Sequence, residues 1–355
     1  MSQGGQLKVG VVGCGYWGSK HVRVLHSMPE VTHVVAVDPF EERLLSLKQA
    51  FPDLATYPTL ESALDHVDSV IVATPPSTHA ALALMALSSG KSVLVEKPLA
   101  TSSQDARRMM DEASAQSVVL MVGHTFEYNA AVWKLQELIQ SNELGHVYYL
   151  DSARLNLGLY QPDVNVVWDL APHDISIFNH ILGSVPVSVQ AWGSRHCHHF
   201  LEDVAYLRLL YAEPEVTANI HVSWLDPSKV RRTTVVGSSK MAVYNDLSSD
   251  ERIRIFDKGV VSPEGGANLQ NIPMSYRYGE IRAPYLPFEE PLRVQDAEFV
   301  SCVLTGSRPR TDGENGLSVV QVLECADISL RTGRLVSLEE VSRADGSEPE
   351  LAKVS

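Results

Sequence analysis

Three groups of residues in the 355-residue sequence have types and spacings that could do chemistry. The first is Gly13-Cys14-Gly15-Tyr16-Trp17-Gly18, a G-x-G-x-x-G run directly after the apolar stretch Lys8–Val12. Three glycines so placed allow a tight turn, close approach of a pyrophosphate and close packing of a helix on its strand, and that helix aims its N-terminal amides at the phosphates. A glycine turn alone would also suit a purely structural role. Asp38 narrows the choice, because it ends the second apolar run, where a carboxylate can accept hydrogen bonds from both adenosine ribose hydroxyls and would repel a 2′-phosphate. Pro39 follows it and Arg43 is the nearest cation, so the pattern favours NAD over NADP.

The second group is Glu96-Lys97-Pro98, after the run Ser92–Val95. Ligands of open α/β sheets bind at the carboxyl ends of the strands, where a lysine can reach a substrate beside the nicotinamide. The tripeptide alone equally fits a solvated lysine capping a strand. The third is Trp168-Asp169-Leu170-Ala171-Pro172-His173-Asp174. Pro172 suits the first position of a helix, which would leave Asp169 in the loop before it and His173 in its first turn, both facing one cleft. The bland alternative is that Asp169 or Asp174 supports the helix N-terminus and His173 is a core histidine.

These groups need a scaffold to position them, and the first third of the chain supplies a recognisable one. Lys8–Val12, His33–Val37, Ser69–Ala73, Ser92–Val95 and Val118–Val122 read as nearly continuous apolar strands, separated by helical stretches at Phe40–Phe51, Thr59–His66, Thr78–Ser89 and Ser102–Ala115. Such alternation predicts βαβ units and a doubly wound parallel sheet covered on both faces. Beyond Gly123 the texture changes to a helix at 130–141, a two-residue period from Val147, a helix at 173–182 and short strands at 185–193, 204–210, 215–223, 232–237, 240–244 and 252–256. These predict an α+β domain with a large, mostly antiparallel open sheet. Gly259–Pro287 lacks periodicity and reads as a long excursion, two helices follow at 292–305 and 313–332, and 343–355 reads as a frayed tail. The expected organisation is thus a dinucleotide-binding domain over 1–125, a substrate-binding and oligomerisation domain over 126–342, and the tail.

Composition excludes several classes of function. Hydrophobic residues make up 45% and charged residues 20%, which is ordinary globular usage. The formal net charge of −14 repels nucleic-acid backbones and anionic membranes, and no basic patch overrides it. No apolar stretch approaches the ~20 residues needed to cross a bilayer. Cys14, Cys197, Cys302 and Cys325 are widely spaced, and Met1–Gly5 lacks the order of a signal peptide, so a reducing cytoplasmic setting is expected. His196-Cys197-His198-His199 invites a metal reading, but neighbouring residues of a strand point to opposite faces and the four cannot ligate one ion, so no metal is expected. Trp224 with Lys229, Arg231 and Arg232 could offer a stacking indole and cations to a sugar phosphate, or form a strand end and solvated turn. Arg154, Asn156 and Tyr160 leave the first strand of the second domain and could line a substrate cleft.

The G-C-G-Y-W-G start, the turn Ala73-Thr74-Pro75-Pro76-Ser77-Thr78-His79, Glu96-Lys97-Pro98 and Asp169-x-x-x-His173 together resemble the glucose–fructose oxidoreductase / inositol dehydrogenase / rhizopine catabolism (Gfo/Idh/MocA) family, over about Leu7–Arg334. The resemblance implies a pyridine-nucleotide enzyme acting on a secondary alcohol of a sugar, sugar derivative or inositol, with a Rossmann domain joined to an α/β domain whose open sheet makes subunit contacts. It implies that Gly13, Gly15, Tyr16, Trp17, Gly18, Asp38, Thr74, Pro75, His79, Glu96 and Lys97 hold NAD. It also implies that Lys97, Asp169 and His173 are catalytic and that Lys97, Arg154, Asn156, Tyr160, Asp169, His173 and Trp224 meet the substrate. In the oxidative direction His173 would be the general base, Lys97 would stabilise alkoxide charge and Asp169 would orient the pair. Ser176 stands where many relatives carry an acidic residue, and Val166-Val167-Trp168 where they carry a glycine-rich run, so the pocket should differ from that of inositol dehydrogenases. The Trp-Asp-Leu-Ala-Pro-His-Asp wording looks closer to the branch acting on nucleotide-linked or amino sugars. A homodimer or homotetramer is expected, because too few helices follow the second domain's strands to cover a broad sheet. The rival reading is a non-catalytic regulator that senses dinucleotide or sugar on the same fold.

Overall fold

The computed structural model describes residues 6–158, 160–161, 163–197, 199–261 and 275–344. His198 and the tail from residue 345 lie outside them, as does part of the expected excursion. The chain forms two compact units: one comprises the chain as far as Tyr128 with Glu289–Glu324 and the chain from Glu339, the other Asn129–Phe288 with Cys325–Leu338.

In the first unit the βαβ reading is realised. β1 (Leu7–Val12), α1 (Tyr16–His26), β2 (Val31–Val37), α2 (Glu41–Ala50), β3 (Ala55–Tyr57), α3 (Leu60–Ala63), β4 (Ser69–Val72), α4 (Pro76–Ser88), β5 (Ser92–Glu96), α5 (Ser103–Gln116) and β6 (Leu120–Gly123) follow in order. The six strands form a parallel sheet in the order β3-β2-β1-β4-β5-β6, so the order reverses between β1 and β4, where such sheets bind ligands. Register aligns Val12 with Val72, Val72 with Val95 and Glu96 with Gly123. The segments after β1, β4, β5 and β6 therefore leave one edge of the sheet side by side. Val9, Val11, Ala36, Ile71 and Leu94 are buried in its core together with Phe299 and Val300 of α8 (Pro291–Thr305). That helix, expected in the second domain, belongs to the first unit. Its apolar face completes a core that the N-terminal residues alone leave open.

The second unit holds α6 (Ala130–Gln140), β7 (Val147–Leu157), α7 (Val166–Leu182), β8 (Ser188–Ser194), β9 (Val204–Tyr211), β10 (Val216–Ser223), β11 (Leu225–Gly237), β12 (Met241–Asn245), β13 (Ile253–Val261) and β14 (Ser275–Arg282). α9 (Gly313–Thr332) is divided between the units at Glu324, then β15 (Val336–Ser337) belongs to the second and α10 (Leu338–Ala344) follows. The nine strands run β14-β13-β12-β11-β7-β10-β9-β8-β15, antiparallel apart from the parallel β7–β10 pair. One face alternates inward, as Ala205, Leu207 and Leu209 do on β9, and α7 packs on β7, β9 and β10. β14 lies within the stretch read as unpatterned. All but one of its residues are exposed, so no burial imposes a period for sequence to show.

Two features of α7 depart from expectation. The helix begins at Val166, capped by Asn165, whose side-chain oxygen accepts the N–H groups of Val167 and Trp168 at 3.1 and 3.2 Å. Pro172 therefore lies inside the helix and Asp169 in its first turn. A strong cap outweighs the preference of proline for a first position.

Candidate active site

The fingerprint glycines meet different constraints. Gly13 has φ +87°, and a Cβ there would lie 2.6 Å from the Ala73 carbonyl oxygen. At Gly18 a Cβ would sit 1.8 Å from the Gly13 carbonyl oxygen, so the turn itself demands both residues. A Cβ on Gly15 would meet nothing within 4 Å. Gly15 is the N-cap of α1, with no side-chain cap and no acidic residue in the first turn. Open space thus lies before uncapped helix amides, which is the cradle a pyrophosphate needs. Tyr16 and Trp17 start the helix exposed, with the Lys20 ammonium 4.1 and 5.0 Å from their ring centroids.

At the end of β2, the Asp38 carboxylate accepts the Cys14 N–H at 2.8 Å and the Phe40 N–H at 2.9 Å, and Arg43 donates to it at 3.2 Å. The Arg43 guanidinium also lies 4.7 Å from the Phe40 ring centroid. The cation nearest in sequence to Asp38 is thus bound to it. Burial first, then the Asp38 charge, pushes the Cys14 thiol up to about 12, which makes it inert packing.

Across the switch point, Thr74 and Pro75 follow β4, and Pro75 caps α4. The buried His79 ring reaches the Pro98 and Thr74 carbonyl oxygens, each at 2.8 Å, and ties the loop after β4 to the loop after β5. Half-buried Lys97 emerges between them, and its backbone N–H donates to Glu96 at 3.2 Å. Glu96 is buried and also meets His21 of α1, whose other ring nitrogen contacts Asp296 of α8. Neither His21 nor Asp296 figured in the sequence reading. They are 275 positions apart, and no motif joins them.

In the second unit, Asp169 and His173 stand one helical turn apart on α7. With Leu170 they are half-buried on a helix whose other neighbouring positions are buried, so both side chains share its open stripe. The Asp169 carboxylate accepts the Trp224 indole N–H at 2.9 Å. Trp224, expected to offer a stacking face, is 1% exposed and instead anchors Asp169. The Tyr160 ring lies 5.2 Å from it, and a Cβ on Gly158 would be 2.9 Å from its Cδ1, so the indole is wedged. Arg154, expected to line the cleft, is buried and bonds Asp174 at 2.8 and 3.2 Å, which engages it structurally. Asn156 is half-buried near the end of β7. Lys229 and Arg232 are exposed and Arg231 lies 3.4 Å from Asp246, the pattern of a solvated strand end. Among the described residues no group of three or more His, Cys, Asp or Glu could hold a metal ion, and no helix is long and apolar enough to cross a membrane.

Comparison with known proteins agrees with this geometry. The family model described as an oxidoreductase family with an NAD-binding Rossmann fold matches residues 7–124. That of the GFO/IDH/MocA C-terminal domain matches 132–243. A myo-inositol 2-dehydrogenase of Thermotoga maritima is 25% identical over 94% of this chain and 99% of its own. A UDP-N-acetylglucosamine 3-dehydrogenase of Acidithiobacillus ferrooxidans is 28% identical over 53% of this chain and 58% of its own, so the chain spans little more than half of that relative. The crystal structure of GenD2 from gentamicin A biosynthesis, in complex with NAD, is 26% identical, covers 94% of this chain and 96% of its own, and superposes with a TM-score of 0.78. With both of its domains matched and its fingerprint cradle open, the chain belongs to the Gfo/Idh/MocA family of NAD-binding oxidoreductases.

Proposed function

We propose that the protein is an NAD-dependent dehydrogenase of a secondary alcohol on a sugar, sugar derivative or inositol, with Lys97, Asp169 and His173 as its catalytic residues. When bound, the nicotinamide supplies the hydride acceptor, or in reverse the donor. His173 takes the hydroxyl proton as general base. Lys97 donates to the same oxygen and stabilises the charge that develops on it. Asp169, fixed through its bond to buried Trp224, orients these groups and supports them electrostatically. Gly13, Gly15 and Gly18, the N-terminal amides of α1 and Asp38 hold the dinucleotide, and Thr74, Pro75 and His79 shape the loop beside Lys97.

The observation that carries the reading is the pairing on α7: two ionisable side chains one turn apart on a half-buried stripe of a helix that is buried over most of its length, one of them clamped by an indole. A solvated surface pair would not need such an anchor. The relatives named above act on hydroxylated rings, one an inositol and one a nucleotide-linked amino sugar, and the latter class suits the divergent Val166-Val167-Trp168 and Ser176 positions. A screen of inositols and nucleotide-linked amino sugars with NAD, followed at the reduced-nicotinamide absorbance, should give turnover with at least one of them. Tight binding of NAD and sugar without turnover would instead favour the sensor reading.

The outer face of the nine-stranded sheet supports assembly. Trp192, Tyr206 and His221 stack across β8, β9 and β10 with interplanar angles of 9° and 11°. Trp192 is 55% exposed and Tyr206 37%, so the stacked rings form an apolar patch on that face. We assign this face to a second copy of the chain, so light scattering at micromolar concentration should report a dimer or tetramer, and a monomer would reject the assignment. A reducing, cytoplasmic setting fits the free thiols of Cys14, Cys197, Cys302 and Cys325.

A further inference from the structure

Directly behind Lys97 lies a set of ionisable groups that the proposed chemistry does not use. His21 is fully buried on α1, with Nδ1 at 3.0 and 2.9 Å from the two Asp296 oxygens and Nε2 at 3.1 Å from Glu96. Asp296 is fully buried on α8, and Glu96 is 6% exposed at the end of β5. The surroundings fix this arrangement. Gln295 reaches Asp296 at 3.4 Å and is held by the Thr125 hydroxyl at 2.7 Å. On the other side, a Cβ at Gly123 would lie 3.1 Å from a Glu96 carboxylate oxygen, so the glycine after β6 leaves room for that carboxylate.

Burial alone would lower the His21 pKa, but the charges and hydrogen bonds of Asp296, and then of Glu96, push it up to about 10. Burial opposes ionisation of Glu96 as well, yet its bond to His21 and the neighbouring positive charges hold it below the usual carboxylate range. Burial pulls Asp296 upward. An imidazolium with each nitrogen on a carboxylate is nevertheless the state that leaves no buried donor unpaired, and it gives the triad one positive and two negative charges. The adjacent cation, Lys97, is half-exposed and screened by water, whereas the triad is not.

We infer that Asp296, His21 and Glu96 form a buried triad of net charge −1 that tunes the bound cofactor, favouring oxidised NAD, with its positively charged ring, over NADH. The inference rests on the NAD-binding reading of the first unit and adds to it a preference between redox states. By the thermodynamic cycle, tighter binding of the oxidised form lowers the potential of the bound couple and lets NADH leave more readily. Asp296 and His21 are positioning residues, acting through Glu96. Removing one unit of negative charge from a buried, poorly screened site is expected to change such a binding ratio by about tenfold, which is about 30 mV for a two-electron couple.

The test is to titrate the full chain with NAD and with NADH in the absence of sugar, comparing the parent with Asp296→Asn at a pH where NMR of the His21 ring nitrogens shows the imidazole protonated in both proteins. The expected result is a Kd for NAD about tenfold weaker in the variant, with the Kd for NADH within about twofold and the thermal midpoint confirming a folded protein. A merely structural role for Asp296 would weaken both nucleotides together, and that result, or an unchanged ratio, overturns the inference. Should Asp296→Asn fail to fold, Asp296→Ser removes the same negative charge with a smaller side chain and carries the same expectation and the same refutation. A parent that binds neither nucleotide would reject the cofactor reading as well; a parent that binds both, with a ratio unmoved in the variant, rejects the triad's role alone.

Discussion

Gly15→Ala separates a cofactor cradle from an ordinary glycine turn. Gly15 has φ −74°, an extended conformation that alanine adopts, and an added Cβ would meet nothing within 4 Å. Two small effects on stability then oppose each other. Loss of the glycine N-cap preference costs roughly 0.5 kcal/mol or more, and the stiffer unfolded chain returns about 0.4–1 kcal/mol. The thermal midpoint should therefore move by no more than about 2 °C. The methyl group, however, fills the space before the uncapped amides of α1, so NAD affinity should fall at least tenfold, about 1.4 kcal/mol. Gly18→Ala is the contrasting control: its Cβ would lie 1.8 Å from the Gly13 carbonyl oxygen, which forces the backbone to move, and the midpoint should drop sharply. Thermal melts and NAD titration of the three proteins decide the matter. Parent-like NAD affinity in Gly15→Ala would refute the cradle, and a large loss of stability there would show that the glycine serves the fold.

Two further substitutions probe the groups around the site. NAD should bind the parent at least tenfold more tightly than NADP, and Asp38→Ala should narrow that gap both by removing the carboxylate and by freeing Arg43 for a 2′-phosphate; equal affinities in the parent would contradict this assignment. Trp224→Phe removes the donor to Asp169, a bond to a charged group worth about 1.5–3 kcal/mol, so turnover should fall roughly 10- to 100-fold while NAD affinity, set by residues of the first unit, stays constant in titration.

The parallel sheet and its helices were legible in the sequence because local rules act there in concert: continuous apolar strands, helical spacing between them, and a turn at which Gly13 and Gly18 leave no room for a side chain. Ser102 capping α5 through the Asp105 N–H is one such local agreement. The start of α7 was misread because Pro172 carries a strong local preference and the Asn165 cap, seven residues earlier, a quieter one. β14 escaped because its residues are exposed, and β3 because three residues cannot show a period. The contacts of the candidate site were less accessible still. Asp169 and His173 could be singled out as a pair, but the bond from Trp224, 55 positions away, and the bridge from His21 to Asp296 depend on tertiary packing that no local pattern encodes. Arg154 shows the same limit in reverse, since its exit from β7 suggested a ligand contact and the fold gave it Asp174.

The most direct test of the central claim is turnover of the parent, Lys97→Met and His173→Asn on a substrate found in the screen, measured beside NAD affinity and thermal midpoint. Positioned acid–base and electrostatic groups contribute roughly 10²–10⁴ in rate, so each substitution should lower turnover by that factor with NAD affinity and the midpoint nearly unchanged. Near-normal turnover in Lys97→Met would contradict the proposed chemistry and return Lys97 to a solvated strand cap.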